Sequence, residues 1–276
     1  MNRLGFMQGR LSPVINGKIQ CFPWSNWKDE FPIASEGGFY LMEWTLDQEN
    51  LYENPLMTEK GRTLIKGLKE KYNIKIESLT GDCFMQSPFY KSEGPQREEL
   101  LKDLINILKS CALVNIRYVV IPLVDNGRPE NKKQEALLFE ALLKLNEFLD
   151  ANEMSIVFES ELPPQELKNF IRKFPKKTFG INYDSGNSSS LGFDPAEEFD
   201  AYGERILNIH IKDRILGGTT VPLGTGNTDF KIVFKKISEI DYKGNLILQT
   251  ARADDENHIG ALKKYKKFVH NIMDRL

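Results

Sequence analysis

The sequence predicts a single (β/α)8 barrel, with one domain covering residues 1–276. Three observations carry that prediction. Short apolar runs alternate with amphipathic helical stretches eight times along the chain, the pattern of parallel βα units. The length, 276 residues, is close to the roughly 250 typical of one such barrel. Four successive apolar runs in the second half each end in a polar side chain. Glu159 follows Ser155-Ile156-Val157-Phe158, Asp184 follows Gly180-Ile181-Asn182-Tyr183, His210 follows Ile206-Leu207-Asn208-Ile209, and Gln249 follows Asn245-Leu246-Ile247-Leu248. Their spacings of 25, 26 and 39 residues are each about one strand–helix unit. All strands of such a barrel point the same way, so their C-terminal ends converge on one mouth.

The elements read in order as follows. Arg3–Met7 is a short first strand, and Asn26–Gly37 a helix closed by glycine. Gly38–Trp44 is the second strand. Thr58–Tyr72 is a helix with Leu64, Ile65 and Leu68 at helical spacing. Asn73–Leu79 is the third strand. The helix Pro95–Leu113 has proline in its first turn and Leu100, Leu101, Leu104, Ile105 and Leu108 on one face. Arg117–Leu123 is the fourth strand, and Asn131–Ala151 a long amphipathic helix. The four runs named above are strands five to eight, separated by helices near Pro164–Phe174, Pro195–Gly203 and Asp229–Ile240. A last helix spans Asn257–Arg275, with a stripe of Leu262, Tyr265, Val269, Ile272 and Leu276. Ser12–Trp24, Asp47–Leu56 and Gly81–Gly94 are too long for plain connections and are expected as mouth loops. They and the nearby strand ends carry Phe22, Trp24, Trp44, Tyr52, Phe84, Met85, Phe89 and Tyr90. Such rings either stack on a sugar-like ligand or pack the loops onto the barrel.

Bulk properties remove several function classes. A net charge of −2 gives no sign of a polyanion partner, so no nucleic acid is expected. No apolar run reaches about 18 residues, so no membrane span is expected. The N-terminal stretch lacks the apolar core of a signal peptide. Three widely spaced cysteines, Cys21, Cys83 and Cys111, form no CxxC pair, which argues against a disulfide framework or zinc knot. These features together predict a reduced, cytoplasmic protein.

The four strand-end residues carry the chemistry. Two carboxylates and an imidazole meeting at one mouth make a divalent-metal site. Each has a structural alternative: a buried salt bridge for Glu159, an Asx turn for Asp184 in Asp184-Ser185-Gly186-Asn187, and a hydrogen-bonded core histidine for His210. Gln249 can coordinate through its amide oxygen but cannot take a proton at neutral pH. Its alternative is a hydrogen-bonding amide away from any metal. Lys212 and Arg214 follow His210, and one of them is expected to face a substrate oxygen or phosphate. Gly224-Thr225-Gly226-Asn227-Thr228-Asp229 leads into a helix and offers either a capped turn or a backbone anion cradle. Glu43 ends strand two and is expected at the mouth, either supporting the site from behind or contacting substrate, or else paired with Arg10.

In order and approximate spacing, Glu159, Asp184, His210 and Gln249 resemble the metal-binding set of the xylose isomerase-like TIM barrels. His210-Ile211-Lys212-Asp213-Arg214 resembles that family's His-x-Lys-Asp segment, and Leu223-Gly224-Thr225-Gly226 with Asp229-Phe230 its Leu-Gly-x-Gly…Asp-Phe segment. The resemblance covers the whole chain. It implies a metal-dependent sugar or sugar-phosphate isomerase or epimerase working through an enediolate. Mn2+, Mg2+ or Zn2+ would be held by Glu159, Asp184, His210 and Gln249. Glu159 and Lys212 would be catalytic, and Glu43, Arg214, Trp24 and Asn187 would contact substrate. The resemblance also implies a possible homodimer. The family pattern has glutamate where this chain has Gln249, so the second base of a two-base epimerisation is missing, while a one-base aldose–ketose isomerisation is less affected. A sugar-binding barrel without turnover and an inosose dehydratase-like lyase are the other readings. An endonuclease IV-like activity is disfavoured, because only three histidines occur and no basic stripe exists to hold DNA.

Overall fold

The computed structural model describes residues 3–275. Eight parallel strands close a barrel: β1 (Leu4–Met7), β2 (Leu41–Leu46), β3 (Lys75–Gly81), β4 (Tyr118–Leu123), β5 (Ser155–Ser160), β6 (Phe179–Asp184), β7 (Ile206–Ile211) and β10 (Asn245–Leu248). Two further strands, β8 (Asp213–Arg214) and β9 (Thr220–Val221), form a small antiparallel ladder beyond β7. Around the barrel the order is β1-β10-β7-β6-β5-β4-β3-β2, so β10 lies between β1 and β7 and closes the ring.

Alternation along each strand sorts side chains into two layers. Outward residues such as Ile209, Ile211, Phe158 and Ile181 join the large core shared with the helices. On the other face, Met7, Leu41 and Ile247 form a small separate cluster. Leu41 lies two residues before Glu43 and Ile247 two before Gln249, so this apolar cluster shares the inward face with the polar strand ends.

Most predicted elements form with ends moved by a few residues. Thr58, Asn131, Asp229 and Asn257 cap the helices they precede through side-chain oxygens. The predicted helix Asn26–Gly37 is shorter, Glu30–Glu36. The long helix Asn131–Ala151 is two helices, Lys132–Leu143 and Asn146–Ala151, because the chain tightens where Leu145 N bonds Leu142 O. Leu142 and Leu149 are both buried, so one apolar stripe runs through the break and hides it in the sequence. Leu276, the last residue of the predicted stripe, lies outside the described residues.

The long loops follow β1, β2 and β3 as expected. Most of their aromatics pack inward: Phe22, Trp44, Phe84, Phe89 and Tyr90 are buried, and Phe22 lies 5.5 Å from Trp44, ring centre to ring centre. Trp24 and Tyr52 are exposed. Among the described residues no helix is long and apolar enough to cross a membrane.

Candidate metal centre at the barrel mouth

Glu159, Asp184 and His210 converge. One donor atom from each lies within 4.8 Å of the others, and all three residues are buried. Register explains the meeting. Asp184 pairs with His210 across β6–β7, Ile247 pairs with His210 across β7–β10, and Gln249 N extends that ladder to Ile211 O at 3.1 Å. His210 Nδ1 stands 3.2 Å from Glu159 Oε2 and 3.9 Å from Asp184 Oδ2.

Each member is held by its own support. Asp184 uses one oxygen, Oδ1, to cap the helix Ser185–Leu191, accepting from Gly186 N and Asn187 N at 2.9 and 2.8 Å. Its other oxygen faces the cluster. The turn and the ligand readings of Asp184 thus describe the two oxygens of one side chain. Glu159 accepts from Asn187 Nδ2 on Oε1 at 2.6 Å and from Asn182 Nδ2 on Oε2 at 2.9 Å. His210 is fully buried, with Nε2 2.7 Å from Glu43 Oε1.

Glu43 is fully enclosed beneath the imidazole. It also accepts from Thr80 Oγ1 and, at 2.8 Å, from Asn208 Nδ2. Of the roles expected for it, the supporting one matches this geometry: the carboxylate is spent on His210 and its neighbours. Arg10 does not pair with it, and instead donates to Thr250 O, Ile19 O and Gln20 Oε1. Asn208 bridges to Asn182 Oδ1 at 2.8 Å, so an unbroken amide chain joins Glu43 to Glu159. Burial works against a charged His210, but the Glu43 charge and hydrogen bonds from Glu159 and Glu43 outweigh it and raise the pKa to about 10. Burial pushes Glu43 up, and the His210 charge reverses this, so that its pKa is lowered.

Lys212 reaches the same cluster. Its ammonium lies 3.3 Å from Asp184 Oδ2, 3.1 Å from Asn187 Oδ1 and 3.2 Å from Gln249 Oε1. The lysine stem lies against Gly186, where a Cβ would come within 2.5 Å of Lys212 Cγ, so only glycine leaves room for it. Arg214 donates from NH1 to Asn187 Oδ1 at 2.9 Å and is anchored on Gly218 O through Nε and NH2. Asn187 therefore ties Glu159, Lys212 and Arg214 together. Trp24 stands apart, in a cleft of about 510 Å³ lined also by Cys21, Phe22, Asp47, Gln48 and Gln86. The Gly224–Thr228 loop does cradle an anion, and the anion is the chain's own: Asp213 accepts from Gly224 N, Gly226 N and Thr228 N at 2.8 to 3.0 Å.

Sequence reasoning missed Asn182 and Asn208. Each sits two residues before a strand-end group, and period-2 alternation places both on the inward face, so the signal was there. It also missed Gln20, in a loop, and Asp82, at the start of the five-residue helix Asp82–Gln86, where no periodicity marks them. Gln20 Nε2 donates to Asp82 Oδ2 at 2.7 Å, and Gln249 Nε2 donates to Gln20 Oε1 at 2.9 Å.

The donor set fits a divalent cation. Two carboxylate oxygens and one imidazole nitrogen suit zinc or manganese, and ligand atoms on bonds of about 2.1 Å lie about 3 to 3.5 Å apart. The 3.2 Å between His210 Nδ1 and Glu159 Oε2 falls in that range. The Glu43–His210 contact has the form of the outer carboxylate that would orient such an imidazole.

The sequence profile described as xylose isomerase-like TIM barrel matches residues 31–267. The chain belongs to this family. The putative L-ribulose-5-phosphate 3-epimerase SgbU of Escherichia coli K12 is 23% identical over 243 residues, covering 81% of this chain and 83% of that protein. The inosose dehydratase of Clostridium botulinum is 26% identical over 218 residues, covering 67% and 72%. The solved IolI protein with a zinc atom superposes with a TM-score of 0.76 at 15% identity, covering 99% of this chain and 98% of that one.

Three buried carboxyls set the pH response. Burial raises Glu30, Asp82 and Glu198 each to about 7. The folded state keeps protons on them that the unfolded chain releases near pH 4 to 4.5. Their contribution to stability is therefore complete below about pH 4 and is lost as pH rises through 7. In chelator, the melting temperature is expected to fall between pH 4.5 and 7.5, and Glu198→Gln to flatten that slope. A rise over the same range would contradict the assignment.

Proposed function

We propose that the protein is a metal-dependent isomerase or epimerase acting on a sugar or sugar phosphate. The observation that best supports this is the meeting of Glu159, Asp184 and His210 within 4.8 Å at the strand ends, in a chain of a family whose relatives include sugar-phosphate epimerases. A divalent cation held by these three, with Gln249 Oε1 as a fourth donor, would supply positive charge against the negative charge developing on a substrate carbonyl oxygen.

The chain's own groups do the remaining work. Glu159 takes the proton from the carbon beside the carbonyl, giving an enediolate, and returns it. Asn182 and Asn187 each hold one Glu159 oxygen and so fix the plane of the carboxylate. Lys212 and Arg214 place positive charge on the β7 side of the mouth, where substrate oxygens are expected. Gln249 takes no proton, so a single base shuttling across one face favours aldose–ketose isomerisation. The likeness to an inosose dehydratase supports a second reading: the same proton abstraction followed by loss of water.

Two measurements test this. Melting curves with Mn2+, Mg2+ or Zn2+, together with elemental analysis, are expected to show stabilisation by at least one ion. In D2O, at least one ketose or ketose phosphate is expected to gain deuterium beside its carbonyl. No stabilisation by any ion would leave a sugar-binding barrel without turnover; bound metal with no exchange in any sugar would leave the dehydratase reading. Gln249→Glu adds a charged oxygen to the cluster and is expected to tighten metal binding about tenfold. Unchanged or weaker affinity would place residue 249 outside the coordination sphere.

A further inference from the structure

Gln20, in the loop after β1, reaches into the mouth, and three buried groups close on its amide. Arg10 NH2 and Gln249 Nε2 both donate to Gln20 Oε1, at 3.4 and 2.9 Å, and Asp82 Oδ2 accepts from Gln20 Nε2 at 2.7 Å. The orientation of this chain of amides is fixed from its ends. Lys212 Nζ and Arg10 can only donate, so Gln249 turns its oxygen to Lys212 and Gln20 turns its oxygen to Arg10. Gln249 must then present its NH2 to Gln20, and Gln20 its NH2 to Asp82. A glutamate at 249 could not make that bond, which gives the amide at this position a purpose beyond metal ligation.

The three walls are built and the occupant is not. Arg10, Asp82 and Gln249 are all buried. Arg10 is tied to Thr250 O and Ile19 O, Asp82 begins the helix Asp82–Gln86, and Gln249 continues the β10 ladder. Gln20 is only partly buried and lies in a loop outside any helix or strand. Cys21, next to it, opens on the 510 Å³ cleft that also holds Trp24 and Asp47. An amide presents an acceptor oxygen and a donor group side by side. A vicinal diol presents the same pair, one hydroxyl oxygen accepting and its neighbour donating.

We propose that Gln20 plugs, from within the chain, a subsite for a vicinal diol of the sugar, beside the carbonyl that faces the cation. Arg10 and Gln249 donate to the acceptor oxygen of the ligand, and Asp82 accepts from its hydroxyl. Ligand entry displaces the Gln20 amide into the neighbouring cleft. This rests on the sugar reading above, and it adds Asp82, Arg10 and Gln20 to the groups that set specificity.

The test uses Mn2+-loaded protein and D-tagatose, D-allulose, D-fructose and erythritol as calorimetric probes. Gln20→Ala is expected to lower the Kd of at least one probe about tenfold, by removing the internal competitor. Adding Asp82→Ala is expected to reverse that gain. N-ethylmaleimide labelling gives a readout independent of calorimetry, since Cys21 is half-buried while Cys83 and Cys111 are buried. Gln20→Ala alone is expected to speed Cys21 labelling several-fold, and a bound probe in the wild type, which turns the Gln20 amide into the cleft beside Cys21, to slow it. Equal or weaker binding by Gln20→Ala overturns the subsite, as does no binding by either protein, or Cys21 labelling unchanged by Gln20→Ala. The isomerase reading is judged separately, by metal stabilisation and deuterium exchange in the wild type, so either can fail while the other stands.

Discussion

Glu159→Gln is expected to lower divalent-metal affinity by about 10²-fold or more and to cut deuterium exchange into a responsive ketose by about 10²–10⁴-fold. The change is nearly isosteric, so the loss would be chemical. Glu159 needs two acceptors, because Asn187 Nδ2 donates to Oε1 and Asn182 Nδ2 to Oε2. A glutamine offers one acceptor and one NH2, so one of the two amides must turn or lose its bond. If Asn182 turns, its oxygen accepts from the new amide at 159 and its Nδ2 faces Asn208 Nδ2, donor against donor, which breaks the amide chain toward Glu43. The variant also removes the negative charge 3.2 Å from His210 Nδ1. Calorimetric metal titration and exchange in D2O would measure both effects. Wild-type exchange with lost metal binding would separate the two roles, and full retention of both would remove Glu159 from the centre.

Legibility of the sequence follows from periodicity. The barrel and its strand ends were readable because alternation along a strand and one polar group per strand end are repeated signals. Glu159, Asp184 and His210 meet where their positions predict. Roles were harder to read than places. Glu43 reaches the site as its strand position implies, yet it serves His210 from below, because the bond it makes depends on β2 lying across the barrel from β7. The helix Ser185–Leu191 has the sequence Ser-Gly-Asn-Ser-Ser-Ser-Leu, poor in helix formers. It forms behind the Asp184 cap and is buried along most of its length, a tertiary effect that no local propensity carries. Gln20, Asp82 and the Asp213 cradle depend on loops meeting across the mouth. Their partners lie 62, 229 and 11 to 15 residues away, and nothing in the local sequence specifies them.

Glu43→Gln is expected to weaken metal binding by about 10- to 100-fold, although residue 43 would touch neither metal nor substrate. The reason lies in the imidazole tautomer. Asn208 Nδ2 and Thr80 Oγ1 donate to Glu43, and His210 Nε2 lies 2.7 Å from it. With a carboxylate at 43, Nε2 carries a proton and Nδ1 keeps a lone pair for the cation. With a glutamine, Asn208 claims the single oxygen, and the NH2 turns toward Nε2. The imidazole then satisfies it by moving its proton to Nδ1, the atom the cation needs. In the metal-free protein the same variant strips the buried imidazolium of its carboxylate, a loss of about 3–5 kcal/mol where such a pair is broken. Two readouts therefore shift together: metal Kd rises, and the melting temperature in chelator falls. Nitrogen chemical shifts of His210 would show the tautomer directly. Unchanged metal affinity, with Nε2 still protonated, would mean that Glu43 does not direct the imidazole.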